Sequence, residues 1–295
     1  MKILVTGSNG QLGFELLRAL APLGDVVAVD RARCDMADAD AIRSLVRSIA
    51  PDVIVNPAAY TAVDKAETDQ QTAHAVNAQA PSVLGEEAAR LGALVVHYST
   101  DYVFDGTKQG SYSETDGPNP QSVYGSTKLA GERGLAEANP RHLILRTSWV
   151  VGAHGGNFAK TMLRLGAERE QLSVVADQFG APTSAALLAD LTAQLVRQYQ
   201  REDALAFPYG TYHVAGAGDT SWFDYARFVL QEALAAGKTL KAGPEAVKAL
   251  STAEYPTAAK RPANSRLDTS HFRNTFNLRL PPWQESVRQV LQQIF

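Results

Sequence analysis

The chain has almost no cysteine. Cys34 stands alone among 295 residues, which excludes an internal disulfide and any zinc site built from several cysteines. Neither sign of charge dominates. The formal net charge is −3, with 20% charged residues, so nothing in the electrostatics suggests a nucleic-acid partner. No run of about 18 apolar residues occurs, the least that a membrane-spanning helix needs, and no membrane partner is expected. Only Ile3, Leu4 and Val5 precede Thr6-Gly7, too few for the apolar region of a signal peptide. With a lone thiol, this points to a reducing, cytoplasmic setting. What remains is an ordinary globular composition, 45% hydrophobic, in a length that suits one principal core and a smaller annex.

The first readable unit is a strand, a glycine turn and a helix. Lys2 to Thr6 forms the strand, and Gly7-Ser8-Asn9-Gly10-Gln11-Leu12-Gly13 leads into an apolar-periodic helix through Phe14, Leu16, Leu17 and Leu20. Glycines at these spacings let the backbone turn tightly, approach a pyrophosphate and pack the helix on the strand. The helix N-terminus supplies free N–H groups to the phosphates. A second strand, Asp25 to Asp30, ends in a carboxylate about 20 residues on, where it can hold the adenosine ribose hydroxyls. Arg31 and Arg33 follow, and a guanidinium there suits the 2′-phosphate of NADP; the cofactor is therefore NADPH or NADH. Asp35 and Met36 can frame the adenine, while Asp38 caps the next helix.

Strands and helices then alternate, which argues for a parallel sheet covered on both faces. A third strand, Asp52 to Val55, runs into Asn56-Pro57-Ala58-Ala59-Tyr60-Thr61. Small residues at Ala58 and Ala59 let a dinucleotide pass, with Tyr60 and Thr61 near the nicotinamide ribose. Asn77 is expected to bond nearby backbone rather than do chemistry. A fourth strand, Ala93 to Tyr98, ends in Ser99-Thr100-Asp101-Tyr102, and a fifth, Arg141 to Thr147, in Ser148-Trp149. Ligands on such sheets bind at the carboxyl ends of the strands, so Thr100 can donate to a substrate carbonyl.

Between the fourth and fifth strands lies the sharpest chemical signal. Tyr124-Gly-Ser-Thr-Lys128 follows a long loop, 105–121, and puts a phenol and an ammonium one helical turn apart, on one face. A nearby cation favours the phenolate and should lower the tyrosine pKa. Such a phenol can give a proton to a carbonyl as hydride arrives at carbon.

The glycine spacing, Thr100 and Tyr124-x-x-x-Lys128 resemble the extended short-chain dehydrogenase/reductase family over roughly the whole chain. The resemblance implies an α/β fold: a Rossmann-type doubly wound parallel sheet in residues 1–150, and a mixed part, 151–295. There, strands near 171–176 and 210–215 return to the sheet, and a discontinuous substrate-binding annex takes about 177–205 and 218–295. Ser99 to Phe104, Arg146 to Trp149 and Arg261 to Leu267 narrow the likeness to members that reduce the 4-keto group of dTDP-4-dehydro-L-rhamnose to dTDP-L-rhamnose, a cell-surface polysaccharide precursor.

Residue by residue, the resemblance makes Tyr124 the proton donor, Lys128 its partner and a nicotinamide ligand, and Thr100 the carbonyl ligand. Gly10, Gln11, Leu12, Asp30, Asp35, Met36, Ala59, Tyr60 and Thr61 hold the cofactor, beside Gly7, Gly13, Arg31 and Ala58. Asp101 and Trp149 contact the sugar nucleotide, with Arg261 and Asn264 expected at its diphosphate. A dehydratase of similar scaffold commonly follows the threonine with Asp-Glu; here Asp101 precedes Tyr102, which favours simple hydride transfer. Some relatives bind magnesium between subunits through a glutamate matching Glu15, but alanine stands where a further glutamate belongs near Asp190, and no metal is expected. The chain would act as a monomer or homodimer. The competing readings are another nucleotide-sugar epimerase or reductase, and a non-catalytic regulatory subunit.

Overall fold

The computed structural model describes residues 1–295. Five strands come from the first half: β1 (Lys2–Val5), β2 (Asp25–Ala28), β3 (Val53–Asn56), β4 (Leu94–Thr100) and β5 (His142–Thr147). Three more follow, β6 (Leu172–Val175), β7 (Gly210–His213) and β8 (Val247–Leu250). Six of them make one sheet in the order β7-β5-β4-β3-β1-β2, and every pairing in it is parallel. From β1 the chain goes to one side for β2 and to the other from β3 onward. The crevice between β1 and β3 is thus the switch point at which ligands bind such sheets.

The strands are short and apolar because both faces are buried. Alternate side chains divide between two cores. Ile3, Val5, Val53, Val55, Leu94, Val96, Leu143 and Leu145 meet α1 (Gln11–Leu20), a helix at Ala185–Arg201 and one at Ser270–Phe276. Leu4, Ile54, Val95 and Ile144 meet α2 (Ala39–Ile49) and α3 (Ala80–Leu91). Each such side chain contributes on the order of 2 kcal/mol by leaving water. Asp38 caps α2, its carboxylate accepting from the N–H groups of Asp40 and Ala41. The annex core gathers α4 (Phe158–Glu168), α5 (Trp222–Ala235) and α6 (Trp283–Ile294) around β6 and β8. No helix is long and apolar enough to cross a membrane.

Two expectations about the second half are corrected. The strand at 171–176 does not return to the main sheet: β6 pairs with β8, Leu172 opposite Val247 through Val175 opposite Leu250. The open edge of β5 is taken instead by β7, and Leu172 and Val174 are buried in the annex core beside Val229 and Leu230. Nor does the whole of 177–205 belong to the annex. The helix Ala185–Arg201 lies on α1 and buries Leu188, Leu191 and Leu195 in the main core; Phe272 and Phe276 of Ser270–Phe276 do the same. A parallel sheet needs cover on both faces, and α1 is too small to shield one alone.

Candidate active site

A cavity of about 780 Å³ runs along the carboxyl ends of β1, β3, β4 and β5. At its first end the glycine turn is packed to the limit. Gly7 sits at φ +53°, and a Cβ added at Gly13 would lie 2.1 Å from the Gly7 carbonyl oxygen, so neither position takes a side chain. The first turn of α1 has no side-chain cap. Gly10, Gln11 and Leu12 line the cavity there, the Gly10 N–H closing the turn on the Gly7 carbonyl at 2.9 Å and the next N–H groups of the helix left without intrahelical acceptors. The Gln11 side chain is spent elsewhere, its Oε1 accepting from Gly152 N–H at 2.9 Å and Asn157 Nδ2 at 3.0 Å, which ties the annex to the glycine turn.

Asp30 stands past the end of β2, held by Asn9 Nδ2 at 2.9 Å and Arg33 N–H at 3.0 Å. Arg31 lies at the cavity mouth with its side chain 82% exposed and paired to Asp35 at 3.2 Å. Arg33 turns away to the Ala28 carbonyl. The Ala37 N–H, with help from Arg31, holds the Asp35 carboxyl below the usual carboxylate range. Met36 and Cys34, both buried, complete this end. Burial and the neighbouring Asp38 and Asp35 push the Cys34 thiol up, away from nucleophilic use. Ala58, Ala59, Tyr60 and Thr61 line the middle. Asn77 clamps that segment through both the N–H and the carbonyl of Tyr60, at 2.8 and 3.1 Å, a backbone role as expected.

The helix Val123–Ala138 carries Tyr124 and Lys128 to the cavity. Ser122 caps it by accepting from Gly125 N–H, and Glu67 accepts from Val123 N–H at 2.9 Å. A Cβ at Gly125 would fall 2.2 Å from the Tyr102 carbonyl oxygen. Glycine there lets the helix touch the turn after β4 and brings Tyr124 edge-on to Tyr102, 5.5 Å between ring centroids. Thr100, Asp101, Tyr102, Tyr124 and Lys128 all line the same cavity.

Lys128 does not act on Tyr124 in the way the spacing suggested. Its side chain is 2% exposed, and its Nζ donates to the Tyr98 carbonyl at 2.6 Å and meets His97 Nε2 at 3.1 Å. Burial pulls the Lys128 ammonium down to about 8. Burial also pushes the Tyr124 phenol up, Asp101 and Tyr102 adding to the rise and only Thr100 opposing it. The expected lowering of the Tyr124 pKa is absent because the ammonium is turned toward the sheet. Tyr124 thus holds its proton at neutral pH, as a donor in ketone reduction must.

Asp101 is 3% exposed. Burial lifts its carboxyl to about 6, against the bonds from Ser265 and Thr100. Thr100 Oγ1 donates to it at 3.1 Å, and Ser265 Oγ donates to its other oxygen. Ser265 reaches it because the loop 105–121 is stitched to the segment 263–268: Tyr112 N–H bonds the Arg266 carbonyl and Asp268 N–H the Tyr112 carbonyl. Asn264, expected at a diphosphate, is spent on that seam, with Nδ2 donating to the Lys108 and Gly110 carbonyls at 2.8 and 2.6 Å. Neither it nor Arg261 lines the cavity. Arg261 sits beside it, paired to Asp64 at 2.5 Å and reaching Tyr102 Oη at 3.4 Å.

Trp149 lines the far end at φ +48°, its indole stacked on Trp222 with centroids 3.6 Å apart. Trp222 also lines the cavity while it packs, with Phe228 and the buried Tyr225, against the annex core. As the first residue of α5, Trp222 stands at the seam between annex and sheet, a position that periodicity cannot reveal. Ser99 and Thr147 lie at the carboxyl ends of β4 and β5. Their hydroxyls are buried in the cavity wall without a hydrogen-bond partner, as polar groups shaped for a polar ligand are. With the glycine turn and the uncapped helix, these residues fit a dinucleotide.

Comparison with known proteins gives the family of this chain and its relatives. A family model described as RmlD substrate binding domain matches residues 1–295. The dTDP-4-dehydrorhamnose reductase of Escherichia coli (strain K12) is 48% identical, over 100% of this chain and 98% of that protein. The enzyme of the same description from Burkholderia thailandensis is 46% identical, over 97% of each. A solved dTDP-4-dehydrorhamnose reductase from Bacillus anthracis str. Ames, in complex with NADP, superposes with a TM-score of 0.89 at 36% identity, covering 99% of both chains.

Proposed function

Since this chain belongs to the family described by the RmlD substrate binding domain model, we propose that it is an NADPH-dependent oxidoreductase that reduces dTDP-4-dehydro-L-rhamnose to dTDP-L-rhamnose, with NADH as the other candidate cofactor. The observation that carries the reading is the meeting of Thr100, Tyr124 and Lys128 in the cavity that begins at the glycine turn. Relatives 46–48% identical over nearly full length bear the reductase name, and a 36% identical relative holds NADP.

The nicotinamide, when bound, supplies hydride to the carbonyl carbon. Everything else falls to the chain. Gln11 and Leu12 receive the pyrophosphate on backbone N–H groups, while Gly7, Gly10 and Gly13 keep the turn tight enough for its approach; Asp30 takes the ribose hydroxyls, and Arg31 a 2′-phosphate. Asp35 and Met36 flank the adenine, and Ala58 to Thr61 pass the cofactor to Lys128. Thr100 and Tyr124 converge on the substrate oxygen, where Tyr124 releases its proton. Asp101 and Trp149 bind the sugar nucleotide. Arg261, at the cavity's rim, reaches its diphosphate after exchanging Asp64. Asn264 contributes by holding the loop 105–121.

The division into a cofactor-binding part, 1–150, and a mixed part, 151–295, belongs to the same reading, as do a cytoplasmic location, action as a monomer or homodimer, and independence of nucleic acid. The test is NADPH deuterated at the transferable position, supplied with the 4-keto sugar nucleotide. The reading predicts deuterium at sugar C4 and one oxidised cofactor per product. Epimerisation without net cofactor consumption would overturn it.

A further inference from the structure

Trp149 and Trp222 reach the cavity from different parts of the molecule. Trp149 follows β5 of the main sheet, and Trp222 opens α5 of the annex. Their rings lie 3.6 Å apart between centroids and 14° from parallel. Trp149 stands at φ +48°, a conformation that a bulky residue keeps only where its surroundings hold it. The backbone there is held: Ser148 Oγ donates to the Ala181 carbonyl at 2.9 Å, and Thr183 N–H donates to the Trp149 carbonyl at 3.3 Å. What remains to be fixed is the direction of the indole.

Two residues fix it, and one ladder carries both. The short strand Phe179–Gly180 pairs antiparallel with Thr220–Ser221, Gly180 opposite Thr220. A Cβ at Gly180 would come within 2.8 Å of Trp149 Cε2 and 3.0 Å of its Nε1, so the indole fills the space that a side chain would take. Just past the partner strand, Trp222 lays its ring on that indole, and Phe158 backs Trp222 at 4.6 Å. Ser221 caps α5, accepting from Asp224 N–H at 3.0 Å, which sets where Trp222 enters the helix. Both tryptophans stay partly exposed and line the cavity, so the stack is more than filled core. The same strand steadies Asp101: Phe179 N–H donates to the Ala263 carbonyl and Ser265 N–H to the Phe179 carbonyl, at 2.9 and 2.7 Å, and Ser265 holds Asp101.

We propose that Trp222 is a positioning residue for the sugar nucleotide: with Gly180 it sets the plane of the Trp149 indole, against which a C–H face of the sugar packs, and so ties the shape of the sugar site to the annex. This rests on the reading of the cavity as a sugar-nucleotide reductase site. None of the residues assigned to the cofactor takes part in the slot, so the effect falls on one ligand and not on the other.

The test is a double-mutant cycle on binding of dTDP-L-rhamnose to the NADPH-saturated protein, a pair between which no hydride passes because both are reduced. Trp222→Leu keeps apolar bulk for the annex core but offers no flat ring. It and Trp149→Leu should each weaken sugar-nucleotide binding by about tenfold, the scale of a stacked aromatic pair, with NADPH affinity kept. Together they should cost no more than Trp149→Leu alone, because Trp222 acts through Trp149. Trp222→Phe, which restores a ring to stack, should return most of the affinity. Additive losses would mean that Trp222 touches the ligand itself, unchanged affinity in Trp222→Leu that it only fills the core, and an equal loss of NADPH that it supports the fold as a whole; each overturns the proposal. A wild type that binds NADPH but not dTDP-L-rhamnose would instead remove the substrate reading, and this proposal with it.

Discussion

The part of the cleft assigned to the pyrophosphate and the nicotinamide ribose comes from a few contiguous stretches dominated by small residues, whereas the part assigned to the sugar nucleotide is made of side chains from segments far apart in the chain. Gly7 to Gly13 and Ala58 to Thr61 are close-packed, and a single Cβ at Gly13 would meet the Gly7 carbonyl oxygen at 2.1 Å. The second part holds Asp101, Trp149 and Trp222, the last two stacked on one another, with Ser265 brought to Asp101 by the seam between the loop 105–121 and the C-terminal segment. A close-packed surface is rigid and reads what all dinucleotides share. A side-chain surface can be altered one residue at a time, which is how one scaffold comes to serve different sugars.

The comparison breaks first at Lys128, the residue at which the two parts meet. Lys128→Met should cut turnover by about 10³-fold, within the range that a positioned proton-handling group supplies, and should also weaken cofactor binding. A loss confined to substrate KM would place Lys128 on the substrate side only. The close-packed part should fail as a unit. Gly13→Val forces the turn off α1, and titration with NADPH should show affinity lower by roughly 10- to 100-fold, the cost of overpacking a close contact. Unchanged affinity would mean that the turn is softer than its contacts imply.

In the side-chain part, Asp101 should trade stability for binding. Its folded pKa of about 6 lies above its ordinary value of 3.8, so the folded state takes up more protons and stability falls as pH rises through that window. Above pH ~6 the cost is on the order of 3 kcal/mol. Asp101→Asn should therefore raise the Tm at pH ~8, leave it nearly unchanged at pH ~4, and raise KM for the sugar nucleotide. A gain independent of pH would point to packing instead. The smallest effect belongs to Arg31, with its exposed side chain. Arg31→Ala should lower the preference for NADPH over NADH by a few-fold, read as a ratio of kcat/KM values; an unchanged ratio would remove Arg31 from 2′-phosphate recognition.

The same contrast explains what was legible in the sequence. The glycine turn, the parallel sheet and the gathering of Thr100, Tyr124 and Lys128 in one cleft follow from local patterns, because each is carried by one strand end or one helical turn. Long-range pairings leave no such mark. Leu172–Val175 is an apolar strand whose partner, Val247–Leu250, contains Lys248, and nothing local says that they pair. Helix Ala185–Arg201 is amphipathic for either part of the molecule, and only the tertiary structure sends Leu188 and Leu195 to the main core. The Tyr124–Lys128 spacing established a shared face, but not the direction of the ammonium, which His97 and the Tyr98 carbonyl decide. Asn264 lies in a basic loop suited to a diphosphate and is instead consumed by two carbonyls.

The claim on which the rest depends is that Tyr124 delivers the proton in a ketone reduction. It is tested most directly by following NADPH consumption with dTDP-4-dehydro-L-rhamnose for the wild type and for Tyr124→Phe, with cofactor binding measured for both. The account predicts brisk oxidation by the wild type and a rate at least about 10²-fold lower in the variant, with NADPH still bound. Equal turnover in the two proteins would contradict it.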